Sequence, residues 1–187
     1  MASKSHPAQD AVSLLEEDHK RVKDLFNEFK KFAETEDNEY VELKQELMNV
    51  VCDELKVHTT IEEEIFYPAV RKALPDEAAL LNEAEVEHAG AKDLIAQIET
   101  SKASDPMTCA KFTVLGEYID HHVKEEENDM FPKVRKSGMD LDKLGAKMAA
   151  RQAELKKDRP NFDSPSGNPM MLSLFDRIRD VGLSVMR

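Results

Sequence analysis

Apolar residues recur at helical spacing along most of the chain, and the places where that rhythm fails divide it into segments. The first stripe holds Val12, Leu15, Val22, Leu25, Phe26, Phe29 and Phe32, and the polar run from Glu34 to Asn38 ends it, which predicts a helix over 10–33. A second stripe, with Leu43, Leu47, Val50, Val51, Leu55, Ile65 and Phe66, predicts a helix over 39–73. Pro68 falls inside it and is expected to bend or break it near Tyr67. Leu74-Pro75-Asp76 marks the next boundary. Leu80, Leu81, Ala84, Ala91, Leu94, Ile95 and Ile98 predict a third helix over 76–101, and Phe112, Leu115, Ile119, Phe131 and Val134 a fourth over 106–136 that stops at Gly138.

Four helices joined by short connections run antiparallel to their neighbours, so the expected fold is all-α, an up-down-up-down four-helix bundle. Two further stripes follow. One, over 140–157, carries Leu141, Leu144 and Met148; the other, over 170–185, carries Met170, Met171, Leu174, Phe175, Ile178 and Val181. The expected organisation is a polar, disordered 1–9, a bundle over 10–138 and a helical extension over 139–187. The apolar face of the last segment needs cover, from its own bundle, from a second copy of the chain, or from a partner.

Four histidines interrupt the apolar stripes. His19 lies between Leu15 and Val22, His88 between Ala84 and Ala91, and the other two begin a motif that is written twice. His58 is followed by Glu62, Glu63, Ile65, Phe66 and Pro68; His122 is followed by Glu126, Glu127, Met130, Phe131 and Pro132. In each copy a Glu stands four residues after the His and a Pro ten after it. Residues four apart share a helix face, so each copy offers an imidazole and a carboxylate to one point. His19 precedes His58 by 39 residues and His88 precedes His122 by 34, so the chain reads as two matched halves. Together they aim His19, His58, His88, His122, Glu62 and Glu126 at one interior. His121 competes with His122, since Glu125 follows it by four; the proline register and the stripe through Leu115 and Ile119 favour His122. Glu63 and Glu127, one step further round, read as solvated or supporting groups.

Composition narrows the chemistry. The net charge is −12 and Gly and Trp number 6 and 0, which favours helices and disfavours nucleic acid or an anionic membrane as partner. Cys52 and Cys109 form no CxxC pair and read as small buried residues in a reducing compartment. No apolar leader or 18-residue apolar run is visible, so the expected location is the cytoplasm. Imidazole and carboxylate without thiolate suit a transition metal, iron before zinc, with manganese as an alternative. Four His and two Glu divide into two sites with two His each and both Glu shared. With a bridging oxide or hydroxide, each ion keeps an open position for a small molecule.

His19, His58 with Glu62, His88, and His122 with Glu126, on successive helices with the Pro68 and Pro132 register, resemble the hemerythrin-like HHE cation-binding domain. The resemblance covers about 10–136. It implies a non-haem di-iron centre that binds dioxygen or a related small ligand, with His19 and His58 on one iron, His88 and His122 on the other, and Glu62 and Glu126 bridging. The oxygen carriers of that family have a fifth His one turn from the His of the third helix; here those positions are Ala84 and Lys92. Oxygen sensing, binding or iron handling is therefore set beside a di-iron oxidase or peroxide-consuming enzyme. A ferritin-like site built on Glu16-x-x-His19 and Glu85-x-x-His88, and a metal-free bundle, are the remaining alternatives.

Overall fold

A computed structural model describes residues 9–34 and 38–157; His6 and the expected helix over 170–185 lie outside the described residues. The described chain is helical throughout. Helix α1 spans Ala11–Lys30 and α2 spans Asn38–Ile61; a π-helical turn, Glu62–Phe66, joins α2 to α3, Tyr67–Ala73. A 3₁₀ turn at Pro75–Glu77 leads into α4, Ala78–Glu99. Helix α5, Pro106–Glu125, continues through a second π turn, Glu126–Met130, into α6, Phe131–Lys136, and α7 spans Leu141–Lys157.

Local signals account for the starts and stops. The Asp10 carboxylate accepts from Val12 N and Ser13 N and caps α1, while Asp105 accepts from Met107 N and caps α5 with Pro106 at its first position. Gly138, at φ 76°, ends the α6 rod in a conformation that glycine adopts without strain.

Pro68 does not break its helix. Proline removes one backbone donor, and the π turn takes up the resulting misfit: Tyr67 N–H bonds to Glu62 O, five residues back, and the chain then continues as α3. Pro132 has the same turn before it, with Phe131 N–H on Glu126 O. The extra residue in each turn keeps Tyr67 and Phe131 facing the interior, five positions beyond the Glu rather than four.

Helices α1, α2, α4 and α5 pack each against the next, and α1 meets α5 along the thinnest seam to close the ring. Helix α7 lies mainly over α1 and α2. It approaches closely at Gly145, where a Cβ would stand 2.3 Å from Gln9 O and 2.7 Å from Ala11 N. Two apolar clusters fill the ring. One gathers Phe26, Phe29, Leu47, Leu55, Phe112 and Leu115; the other gathers Leu15, Ile61, Phe66, Leu81, Phe131 and Met148. Cys52 is buried in the first, whereas Cys109 is only partly covered, a correction to its reading as a buried residue. Among the described residues no helix is long and apolar enough to cross a membrane.

Candidate metal centre

Between the two apolar clusters lies one polar layer. His19, His58, Glu62, His88, His122 and Glu126 all reach it, and each is at most 5 % exposed. The helix rods explain why: every one of these residues sits where the stripe of its own helix would otherwise carry an apolar side chain.

The imidazoles meet in pairs. His19 Nε2 and His58 Nε2 are 3.2 Å apart, and His88 Nε2 and His122 Nε2 are 3.1 Å apart. Each carboxylate spans the pairs. Glu62 Oε2 stands 3.1 Å from His58 Nε2 and 3.4 Å from His88 Nε2, and Glu126 Oε2 stands 3.2 Å from His19 Nε2 and 3.5 Å from His122 Nε2. Two ligand groups result, His19 with His58, Glu62 and Glu126, and His88 with His122 and Glu62, with Glu62 common to both.

The outer ring nitrogens are turned toward carboxylates in a crossed pattern. Within a half, the acid just before the first His reaches the second His: Asp18 Oδ2 lies 3.7 Å from His58 Nδ1, and Glu87 Oε2 lies 2.8 Å from His122 Nδ1. Across the halves, the acid just after the buried Glu reaches the other half's first His: Glu127 Oε1 is 3.0 Å from His19 Nδ1 and Glu63 Oε1 is 3.0 Å from His88 Nδ1. An ionised carboxylate can only accept, so Glu127, Glu63 and Glu87 hold a proton at Nδ1 of His19, His88 and His122 and turn Nε2 inward, whereas His58 Nδ1 is buried without a hydrogen-bond partner. Asp18 and Glu87 carry no mark in the sequence beyond standing one residue before a histidine, and both were missed there. Tyr67 was missed as well. Its hydroxyl donates to Glu126 Oε1 at 2.9 Å and lies 3.3 Å from His88 Nε2. The matched residue of the other half is Phe131, whose ring stacks on His19 at 5.7 Å with an interplanar angle of 6°.

These residues fit a cation. Glu62 Oε1 and Oε2 and Glu126 Oε2 are buried without a hydrogen-bond partner, and an unpaired buried carboxylate is destabilised by several kcal/mol unless a cation or proton joins it. Protons take that part in the metal-free fold. Burial and the Glu126 carboxylate push Glu62 well above the usual carboxylate range. Burial opposes ionisation of Glu126 too, but the His122 and His19 imidazoles hold its carboxyl below that range. His19 is raised to about 9 against the effect of burial by Glu126 and Glu127, whereas burial takes His58 down to about 4 despite Asp18. Burial likewise lowers His88. Burial keeps the Tyr67 phenol protonated, hence a donor.

The residues left out by the doubled motif fall elsewhere. The His121 side chain is 64 % exposed and lies 3.4 Å from Glu125 Oε1 on the surface, so the inward histidine of that pair is His122. Glu16 and Glu85 are exposed and pair with Arg135 and Arg71, which removes the ferritin-like arrangement. Ala84 is buried and offers no donor, and Lys92 Nζ is held by Glu63 at 2.5 Å, so neither position replaces the absent fifth imidazole.

The family model described as the hemerythrin HHE cation binding domain matches residues 10–134, well over half the chain. The chain belongs to that family. Its fold is also similar to a crystal structure described as a hemerythrin HHE cation binding domain-containing protein, the Rv2633c homolog from Mycobacterium kansasii. That likeness has a TM-score of 0.64 and 27 % identity, over 80 % of this chain and 89 % of that one. No curated protein sequence matches. Membership of the HHE family makes this a cation-binding protein, and the buried His and Glu groups are those able to hold the metal.

Proposed function

We propose that the bundle over 10–138 holds two iron ions, one at His19 and His58 and the other at His88 and His122, with Glu62 and Glu126 shared between them. After it, α7 over Leu141–Lys157 packs on the bundle. The protein then binds dioxygen or a related small ligand at that centre. One observation carries this reading: four imidazole Nε2 atoms converge with Glu62 Oε1 and Oε2 and Glu126 Oε2, three buried carboxylate oxygens without a hydrogen-bond partner. Nitrogen and oxygen donors without thiolate favour iron among abundant redox metals. Iron so held supplies an electron-rich site with open coordination positions for a small ligand. The protein's own part is to hold the rings of His19, His88 and His122 through Nδ1, to favour ionisation of Glu126, and to exclude bulk water.

Two His per ion, in place of an arrangement with a fifth, supports turnover of oxygen or peroxide as the second reading. Tyr67 favours it specifically, since its buried hydroxyl offers a donor beside Glu126 and His88.

Anaerobic loading with ferrous iron, followed by admission of air and recording of the visible spectrum, tests both. About two irons per chain, lost in His58→Ala, is the expected result. A persistent adduct that reverses under vacuum supports binding, and consumption of added peroxide over many cycles supports turnover. Full iron loading by His58→Ala would overturn the assignment of the centre.

A further inference from the structure

A groove of about 130 Å³ runs along the seam between α1 and α5, and His19 lies at its floor. A much smaller space, about 10 Å³, is lined by His19, His58, His88 and His122 together with Leu55, Ile119 and Val123. The two spaces share three lining residues, His19, Ile119 and Val123. They are therefore neighbours across a single apolar partition rather than separate features.

We infer that small ligands reach the centre through the α1/α5 seam, past Ile119 and Val123, and that the route favours small uncharged molecules. This inference rests on the metal-centre reading proposed above. Three observations carry it. The seam is the thinnest contact in the ring, whereas the α1/α2 side is covered by α7. The groove beside that seam shares His19, Ile119 and Val123 with the small space next to the histidines. The other large cavity, beside Ala69 and Leu144, borders none of the six site residues.

Size and polarity set the selectivity. A void of roughly 10–15 Å³ on this measure holds one water, so the inner space of about 10 Å³ favours the smallest ligands over bulky ones. Phe26, Ile119 and Val123 present carbon at the narrow part, where an ion would lose its hydration without a partner. The mouth gives no compensating charge of one sign. Lys23 and Lys30 stand there with Glu117 and Asp120, and Lys23 also acts on Glu127.

The test follows nitric oxide, a neutral diatomic probe, mixing with the iron-loaded full-length protein in its reduced state, by stopped-flow absorbance. Gly116→Leu crowds the groove wall against the Phe26 ring. It is expected to slow association and dissociation together by roughly tenfold, equivalent to about 1.4 kcal/mol on the barrier, leaving Kd within about twofold. Ile119→Ala widens the partition and is expected to speed both rates several-fold, which keeps the test open if Gly116→Leu loads iron poorly. Rates equal to wild type in Ile119→Ala, and in a Gly116→Leu that loads iron, overturn the route while leaving the centre intact. A wild-type protein that loads no iron overturns the centre, and the route with it.

Discussion

The two halves of the bundle share one backbone device and differ in what surrounds it. In each, a histidine, a carboxylate four residues on and a proline ten residues on ride a rod interrupted by a π turn. The first rod is covered by α7, which also sets Gln152 Nε2 2.7 Å from Asp18 and so braces the acid facing His58. In the second, the corresponding Glu87 is half-buried and lies between His122 and the exposed His121. The aromatic residue five beyond the Glu is Tyr67 in one rod and Phe131 in the other. Matched ligand geometry thus coexists with unmatched support, which makes the two metal positions inequivalent: the repeat fixes where donors point, and the differences fix how firmly each is held.

The largest effects should be symmetric, because they remove the shared device. His58→Ala and His122→Ala are each expected to weaken iron binding more than the roughly 10–100-fold typical of losing an orienting partner, read by metal titration. A large loss for one and none for the other would break the matched-halves account. Gly145→Leu attacks the asymmetric cover instead. The added side chain meets the backbone of Gln9 and Ala11, which cannot yield as a side chain would, so a loss of about 3 kcal/mol is expected, the upper end for overpacking. Thermal unfolding should show a Tm lower by about 2–4 °C for each kcal/mol in a chain of this size.

Intermediate effects should separate the halves. Glu87→Gln removes a contact at 2.8 Å and Asp18→Asn one at 3.7 Å, so the former should lower iron affinity further, within roughly 10–100-fold. Tyr67→Phe makes the halves alike and deletes the donor to Glu126; a loss of about 1 kcal/mol in the metal-free protein is expected from denaturant unfolding. The smallest effect is in acid. The His88 ring N–H, with Lys92, holds Glu63 at about 2 in the fold against a usual 4.5. A carboxylate depressed in this way contributes stability above pH 4.5 and loses it as pH falls toward 2. Glu63→Gln should therefore flatten the acid limb of the metal-free protein's stability curve in that window and change little above it.

The six central residues were legible because helical period, HxxxE spacing and duplication all agree on them, and the proline register chose His122 over His121. The Pro68 kink was read as a bend or break because a missing N–H is visible in sequence, while its absorption into a π turn is not. Tyr67 faces the layer only because that turn adds a residue, so straight-helix counting points it away. The crossed carboxylates depend on which helices adjoin, which Asp18 and Glu87 cannot reveal alone. Their common place before His19 and His88 was a repeat signal available to comparison of the halves. Glu63 and Glu127 read from the sequence as solvated or supporting groups, and the structure shows them partly exposed and bonded to His88 and His19.

The central claim is that a pair of metal ions takes the place of protons between the two halves. Calorimetric titration of the metal-free protein with ferrous iron under anaerobic conditions at pH 7, repeated in buffers of different ionisation enthalpy, tests it directly. His19, raised to about 9, carries a proton at pH 7 that a bound cation must displace, and burial with the Glu126 carboxylate raises Glu62 in the same direction. Binding of about two irons per chain with release of protons is expected. Binding of one iron or none, or binding without proton release, would contradict it.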